Sequence, residues 1–138
     1  MAGGEQQMWG VLRPILKEWG LDPWRIETPN KDGVPDVNYT HGWIELKNVE
    51  DWPKKAVSPL PCPHFTPQQR VWLLKRWLAG GICFLLLRVR KPSDWLLFDG
   101  NVAGQVIGRE TKENLFNTAR VTAKEPGGLT ILRDLIRR

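Results

Sequence analysis

A single α/β domain is predicted from three observations. The 138 residues suit one domain, and 41% hydrophobic with 25% charged residues is an ordinary globular composition. Apolar periodicity changes from a helical stripe near the start to alternation in the middle of the chain. Proline and glycine clusters then cut the chain into helix, three-stranded antiparallel meander, helix and strand, followed by a C-terminal hairpin and helix extension.

Met8, Leu12, Ile15, Leu16 and Trp19 form one stripe of an amphipathic helix over residues 5–19, with Gly20 at its C-terminal cap. Pro14 lies inside it and would free the Gly10 carbonyl, so a kink or break is expected near that pair. Trp24 to Thr28 alternates as a strand, and Pro29-Asn30-Lys31-Asp32-Gly33 is rich in turn formers. Two extended runs follow, Pro35 to Tyr39 and Gly42 to Asn48, with Thr40-His41 between them at hairpin spacing. Val49 to Phe65 carries Pro53, Pro59, Pro61 and Pro63, which predicts a long loop of the kind that is usually functional or mobile. Thr66-Pro67 supplies an N-cap and first-turn proline for a helix through Ala79, which Gly80-Gly81 ends. Ile82 to Val89 is a fully buried strand. Trp95 to Phe98 and Val102 to Ile107 flank Asp99-Gly100-Asn101 as a second hairpin, before a weak helix near Lys112 to Ala119 and a terminal one from about Leu129.

The longest apolar run, Ile82 to Leu87, is far below the roughly 20 residues needed to cross a bilayer, and no signal-peptide core follows Met1. The two cysteines make no disulfide framework, so a reducing cytoplasm, bacterial or of a phage-infected host, is expected. The net charge of +5 is uneven. Residues 1–50 hold five basic and eight acidic side chains, residues 51–91 eight basic and one acidic, and the remainder seven and six. An acidic cluster feeding into a basic segment suits a divalent cation beside a polyanion; an unevenly solvated surface is the alternative.

With Thr40-His41 as a two-residue turn, Asn38 faces Trp43, Val37 faces Ile44 and Asp36 faces Glu45. Directly opposed side chains share a face. Lys47 projects beside Glu45, while Val37, Tyr39, Ile44 and Leu46 point the other way into a core. Two opposed carboxylates repel each other unless a cation lies between them, and hard oxygen ligands suit Mg²⁺, with Mn²⁺ as a substitute.

Pro35-Asp36, an eight-residue gap and Glu45-Leu46-Lys47 resemble the signature of the PD-(D/E)xK nuclease superfamily. The context of Asp32-Gly33-Val34 before the motif and Thr66-Pro67-Gln68-Gln69-Arg70 at the next helix is similar to the VRR-NUC branch and to Holliday junction resolvases. The resemblance covers about residues 5–90 and implies a restriction-endonuclease-like core, with residues 1–91 catalytic and 92–138 an extension. It implies Asp36 and Glu45 as metal-binding carboxylates, with the Leu46 carbonyl as a further ligand and Lys47 orienting the attacking water. Glu5 on the first helix and Gln69 on the second occupy positions where such families place a further ligand and a catalytic Gln. The alternative for Glu5 is a first-turn acid favoured by the helix dipole, and Glu27 is its rival as third carboxylate. The implied reaction is Mg²⁺-dependent hydrolysis of DNA phosphodiesters, structure-selective on branched DNA, by a C2 homodimer; compact free-standing nucleases of this kind resemble those of bacteriophages. A nicking, repair or packaging nuclease, or a non-catalytic DNA-binding module, are the competing readings.

Lys54, Lys55, Arg70, Lys75 and Arg76 are the candidate phosphate contacts, with a solvated helix face as the alternative for Lys75 and Arg76. Of eight tryptophans, Trp43 and Trp52 are the candidates for DNA contact, and Trp9, Trp19 and Trp72 or Trp77 are assigned to the core. Cys62, His64, His41 and Cys83 have the composition of a zinc site, but only Cys62 and His64 are close in sequence, and Cys83 fits a core position.

Overall fold

The apolar stripe of the first helix and the alternation of the middle strands are complementary surfaces, and the fold lays one on the other. The computed structural model describes residues 2–27 and 32–134. Helix α1 (Ala2–Glu18) buries Met8, Leu12 and Leu16 completely against Val37, Tyr39, Ile44 and Leu46. It begins three residues before the expected start and runs through Pro14 as one element. Gly10 and Pro14 are both exposed, so the displaced carbonyl is at the water-facing side of the helix.

A six-stranded sheet in chain order forms the middle layer. Its strands are β1 (Trp24–Arg25), β2 (Val37–Tyr39), β3 (Gly42–Asp51), β4 (Cys83–Lys91), β5 (Asp94–Asp99) and β6 (Val121–Ala123). All neighbours are antiparallel except β3 and β4, which are parallel and joined by α2 (Pro67–Leu78). The β2–β3 register pairs Val37 with Ile44, Asn38 with Trp43 and Tyr39 with Gly42, as the two-residue turn predicts. Gly42 is required there, because a Cβ would run into the Ile82 carbonyl. The first strand is shorter than expected, and residues 28–31 of the predicted strand end and turn lie outside the described residues.

The opposite sheet face carries a second apolar cluster that includes Leu73, Cys83, Leu85, Leu87, Leu96, Phe98, Ala103 and Leu115. Helix α2 starts as predicted. Thr66 accepts from the Gln69 N–H, and the Gln69 side chain accepts from the Thr66 N–H, a complete capping box with Pro67 in the first turn.

Three expectations are corrected. The expected loop from Val49 is strand up to Asp51, and the remainder is a strap sealed into the second cluster by Leu60, Cys62 and Phe65 rather than a free loop. The hairpin expected around Asp99-Gly100-Asn101 does not form. The chain reverses instead between β4 and β5, and Gly100–Val106 is helix α3. Ala103, Val106 and Ile107 are buried at helical spacing, and that periodicity outweighs the β-branched side chains. The C-terminal part is consequently more than a hairpin and helix. It comprises β5, α3, α4 (Lys112–Thr118), β6, a 3-10 turn at Pro126–Gly128 and α5 (Ile131–Asp134). Trp95, Leu97 and Leu129 enter the first cluster and Leu96, Phe98 and Leu115 the second, so residues 92–134 complete both cores.

Candidate active site

The ladder between β2 and β3 ends at Val37 opposite Ile44, and beyond that point β3 keeps β4 as its only strand neighbour among the described residues. Asp36 stands where the ladder stops. Its carbonyl accepts from the Ile26 N–H at 2.7 Å, and its carboxylate accepts from the Leu46 N–H at 2.9 Å. Gly33, at a φ of 85°, presses against the backbone of Gln68 and Gln69, so the segment leading to Asp36 is seated on the first turn of α2.

Glu45 and Lys47 emerge on the same side of β3, and their side chains meet, Lys47 Nζ to Glu45 Oε2 at 3.2 Å. Lys47 also donates to the His64 carbonyl at 3.0 Å and stands 5.8 Å from the Phe65 ring centre. Asp36, Glu45 and Lys47 are 2%, 1% and 2% exposed. The face expected to carry the charged residues is thus closed over by the strap and by α2. Removing a carboxylate and an ammonium from water costs several kcal/mol per ion unless they compensate each other, which the Glu45–Lys47 contact does.

Glu5 reaches this group from α1. Its carboxyl is held above the ordinary value by burial, with the Asp36 charge adding to the shift and Lys47 opposing it. His64 brings Nε2 to 3.7 Å from Glu5 Oε2 and 3.9 Å from Cys62 Sγ. Burial, and then Lys47, depress the His64 pKa, and burial pushes the Cys62 thiol up to about 11. A cavity of about 320 Å³, lined by Gly4, Glu5, Asn48, Glu50 and His64, opens beside the group. His64 is the residue that sequence reasoning undervalued; Cys62-Pro63-His64 just before the helix cap was its signal. The zinc set does not assemble: among the described residues no three His, Cys, Asp or Glu side chains gather around one point, and Cys83 is a core residue whose thiol donates to the Leu73 carbonyl.

Leu46 stays with the group, its N–H donating to the Asp36 carboxylate. The remaining predicted residues are dispersed, and Gln69 spends its side-chain oxygen in the capping box. Glu27 is exposed. Arg70 donates to the Gly104 carbonyl at 2.8 Å and lies over Phe65 at 4.4 Å, while Arg76 lies over Trp72 at 4.5 Å. Lys75 is exposed, as are Lys54 and Lys55 on the strap. Arg88 and Arg90, also in the basic segment, are tied to Asn48 and Glu50, so that segment does not form one continuous positive surface. Trp43 packs edge-on against Trp72 at 5.5 Å, and Trp52 donates its indole N–H to Asp94 at 2.7 Å. Trp9, Trp19, Trp72 and Trp77 are half-buried against the clusters as expected, and the most exposed tryptophan is Trp24.

No protein-family model matches the chain, and no curated protein matches it.

Proposed function

We propose that the chain is a Mg²⁺-dependent endonuclease of the PD-(D/E)xK type acting on DNA, with Asp36 and Glu45 as the ion-holding carboxylates. The observation that carries the reading is the buried Glu45–Lys47 pair on β3 beside buried Asp36, whose carboxylate is tied to the Leu46 N–H between them, with half-buried Glu5 of α1 in the field of Lys47 and Asp36. The donor chemistry fits a hard cation: carboxylates, one of them already held by a backbone N–H, in a region where burial makes uncompensated negative charge costly. With no third His, Cys, Asp or Glu gathered there among the described residues, the ion would take two carboxylates and keep water in its remaining positions, which is ordinary for Mg²⁺. Such an ion activates water and neutralises phosphate oxygens. The chain's own contributions are separate. Asp36 is fixed by Leu46, Lys47 places a positive charge beside the reacting phosphate once it is released from Glu45, and Glu5 raises the negative charge available to the cation. Branched DNA, read by shape, is the proposed substrate class, and a C2 homodimer the proposed state for paired cuts.

A non-catalytic DNA-binding module is the second reading. It is favoured by the Glu45–Lys47 ion pair, which gives each charge a counter-charge without any ion. The two separate on incubation of the protein with Mg²⁺ or Mn²⁺ and labelled linear, flap and four-way DNA. Cleavage of the branched substrates, abolished in Glu45→Ala and Lys47→Ala with DNA binding retained, is expected. Equal cleavage of linear duplex defeats branch selectivity, cleavage surviving in either variant defeats the site, and no cleavage of any substrate leaves the binding module.

A further inference from the structure

A second cavity, of about 500 Å³, lies where β3 gives way to the strap. That volume falls within the range of small-molecule sites. Trp52 and Phe116 line it with ring centres 5.8 Å apart and planes inclined at 39°. Lys54, Lys55 and Lys112 also line it, against one acidic residue, Glu113. Lys112 Nζ stands 5.2 Å from the Trp52 ring centre and 5.9 Å from that of Phe116, so a cation already lies across the aromatic surface. The indole is fixed in place, since its single N–H donates to Asp94, which Lys124 also holds. Trp52 therefore offers the cavity π surface and no donor.

An aromatic wall with an ammonium rim matches a planar ring that carries negative charge close by. We propose that this cavity binds one unpaired nucleotide of a DNA strand, the base stacked on Trp52 and Phe116 and its phosphate held by Lys54, Lys55 and Lys112. Stacking of this kind is tolerant of sequence, because every base has a π face. The placement of the rest of the strand rests on the nuclease reading. Trp52 packs on the sheet face from which Glu45 and Lys47 project, and it follows Lys47 by five residues, roughly 16 Å of extended chain at about 3.3 Å per residue. At the roughly 3.4 Å rise per nucleotide of a duplex strand, that span is at most about five nucleotides, and fewer for the more extended unpaired strand. A flap or frayed end, which supplies an unpaired base at that distance from a cut, is then the preferred substrate over an intact four-way junction.

The test uses the full chain in EDTA, where no strand is cut. Its probes are labelled oligothymidylate, an abasic oligonucleotide of equal length and a blunt duplex, with thymidine monophosphate as competitor. Oligothymidylate is expected to bind at least about tenfold more tightly than the abasic strand. Lys112→Glu and Lys54→Glu, both surface changes, are each expected to weaken it several-fold, and Phe116→Leu to remove the difference between the two strands. Competition by the monophosphate assigns the whole ligand to the cavity, and its absence assigns part of the affinity to the strand; both uphold the site. Equal affinity of the wild-type chain for thymidylate and abasic strands overturns it, leaving a plain polyanion surface. Base preference without cleavage in Mg²⁺ overturns the nuclease reading alone, and cleavage without base preference overturns the cavity alone.

Discussion

Burial, and with it the Asp36 charge, raise the folded pKa of Glu5 above the ordinary 4.5 against the opposing pull of Lys47, so its charged form is held in the folded state at a cost. For an acid shifted upward, the folded state binds its proton more tightly than the unfolded state does, so the penalty is complete above the folded value and vanishes below the unfolded one. Glu5→Gln is therefore expected to raise the urea midpoint at pH 7 and to leave it unchanged near pH 3. A uniform gain across that range would show that burial of the charge was not the cause. Under the nuclease reading the same variant weakens activation by Mg²⁺, the exchange of stability for function expected when like charges are gathered to hold a cation. Glu45 and Lys47 behave differently, since each compensates the other. Glu45→Ala alone is expected to destabilise by about 3–5 kcal/mol by leaving a buried ammonium, and Glu45→Gln with Lys47→Met to recover most of the loss. Additive effects of the single changes in a double-mutant cycle would refute the coupling.

At the level of elements, Asp94 joins three parts of the chain. It opens β5, accepts the Trp52 indole from the start of the strap and binds Lys124 just past β6. Burial opposes its ionisation, but the hydrogen bonds from Lys124 and Trp52 prevail and hold its pKa below the ordinary 3.8. The corresponding stability is present above that value and lost as pH falls through the lower folded one. Asp94→Asn is thus expected to lower the urea midpoint at pH 7 and to flatten its fall on acidification; an acid limb as steep as the wild type would refute the assignment. These contacts also mark where the sequence stopped being legible. The first helix, the hairpin register and the capped α2 follow from local rules: an apolar stripe, a two-residue turn, Thr66-Pro67 with Gln69. The same rule carried Asp36 one step too far: the pairing ends at Val37, and Asp36 reaches β3 through its carboxylate, which accepts from the Leu46 N–H, rather than as the ladder partner of Glu45. Val102 and Ile107 invited a strand because β-branched residues favour one, whereas α3 is decided by where Ala103 and Val106 are buried. Glu5 beside His64 depends on packing across 59 positions of chain, and no local pattern encodes that.

For the whole molecule, the division expected at residue 91 does not survive as a physical boundary. Leu96, Leu97 and Phe98 on β5 are fully buried against β4, and Leu115 and Leu129 close the two clusters. A chain ending at Lys91 exposes Leu85, Leu86 and Leu87 along a bare strand edge. It is expected to lack a cooperative urea transition and near-UV tryptophan circular dichroism; a sharp transition in that fragment would restore the separate core. No helix among the described residues is long and apolar enough to cross a membrane. The one parallel pairing in the sheet bears on time rather than on place. Every β3 residue in that ladder meets a β4 residue 40 positions later, as Trp43 meets Cys83 and Asp51 meets Lys91. The buried Glu45 and Lys47 thus lie on a strand whose main neighbour arrives only after a large loop has closed, a step whose entropy must be lost before its contacts are gained. Refolding is expected to be slow for the chain's size, in milliseconds to seconds. Leu86→Ala is expected to slow refolding more than Leu12→Ala, because β3–β4 docking forms the barrier; stopped-flow tryptophan fluorescence measures both, and the reverse order would place the barrier at α1 instead.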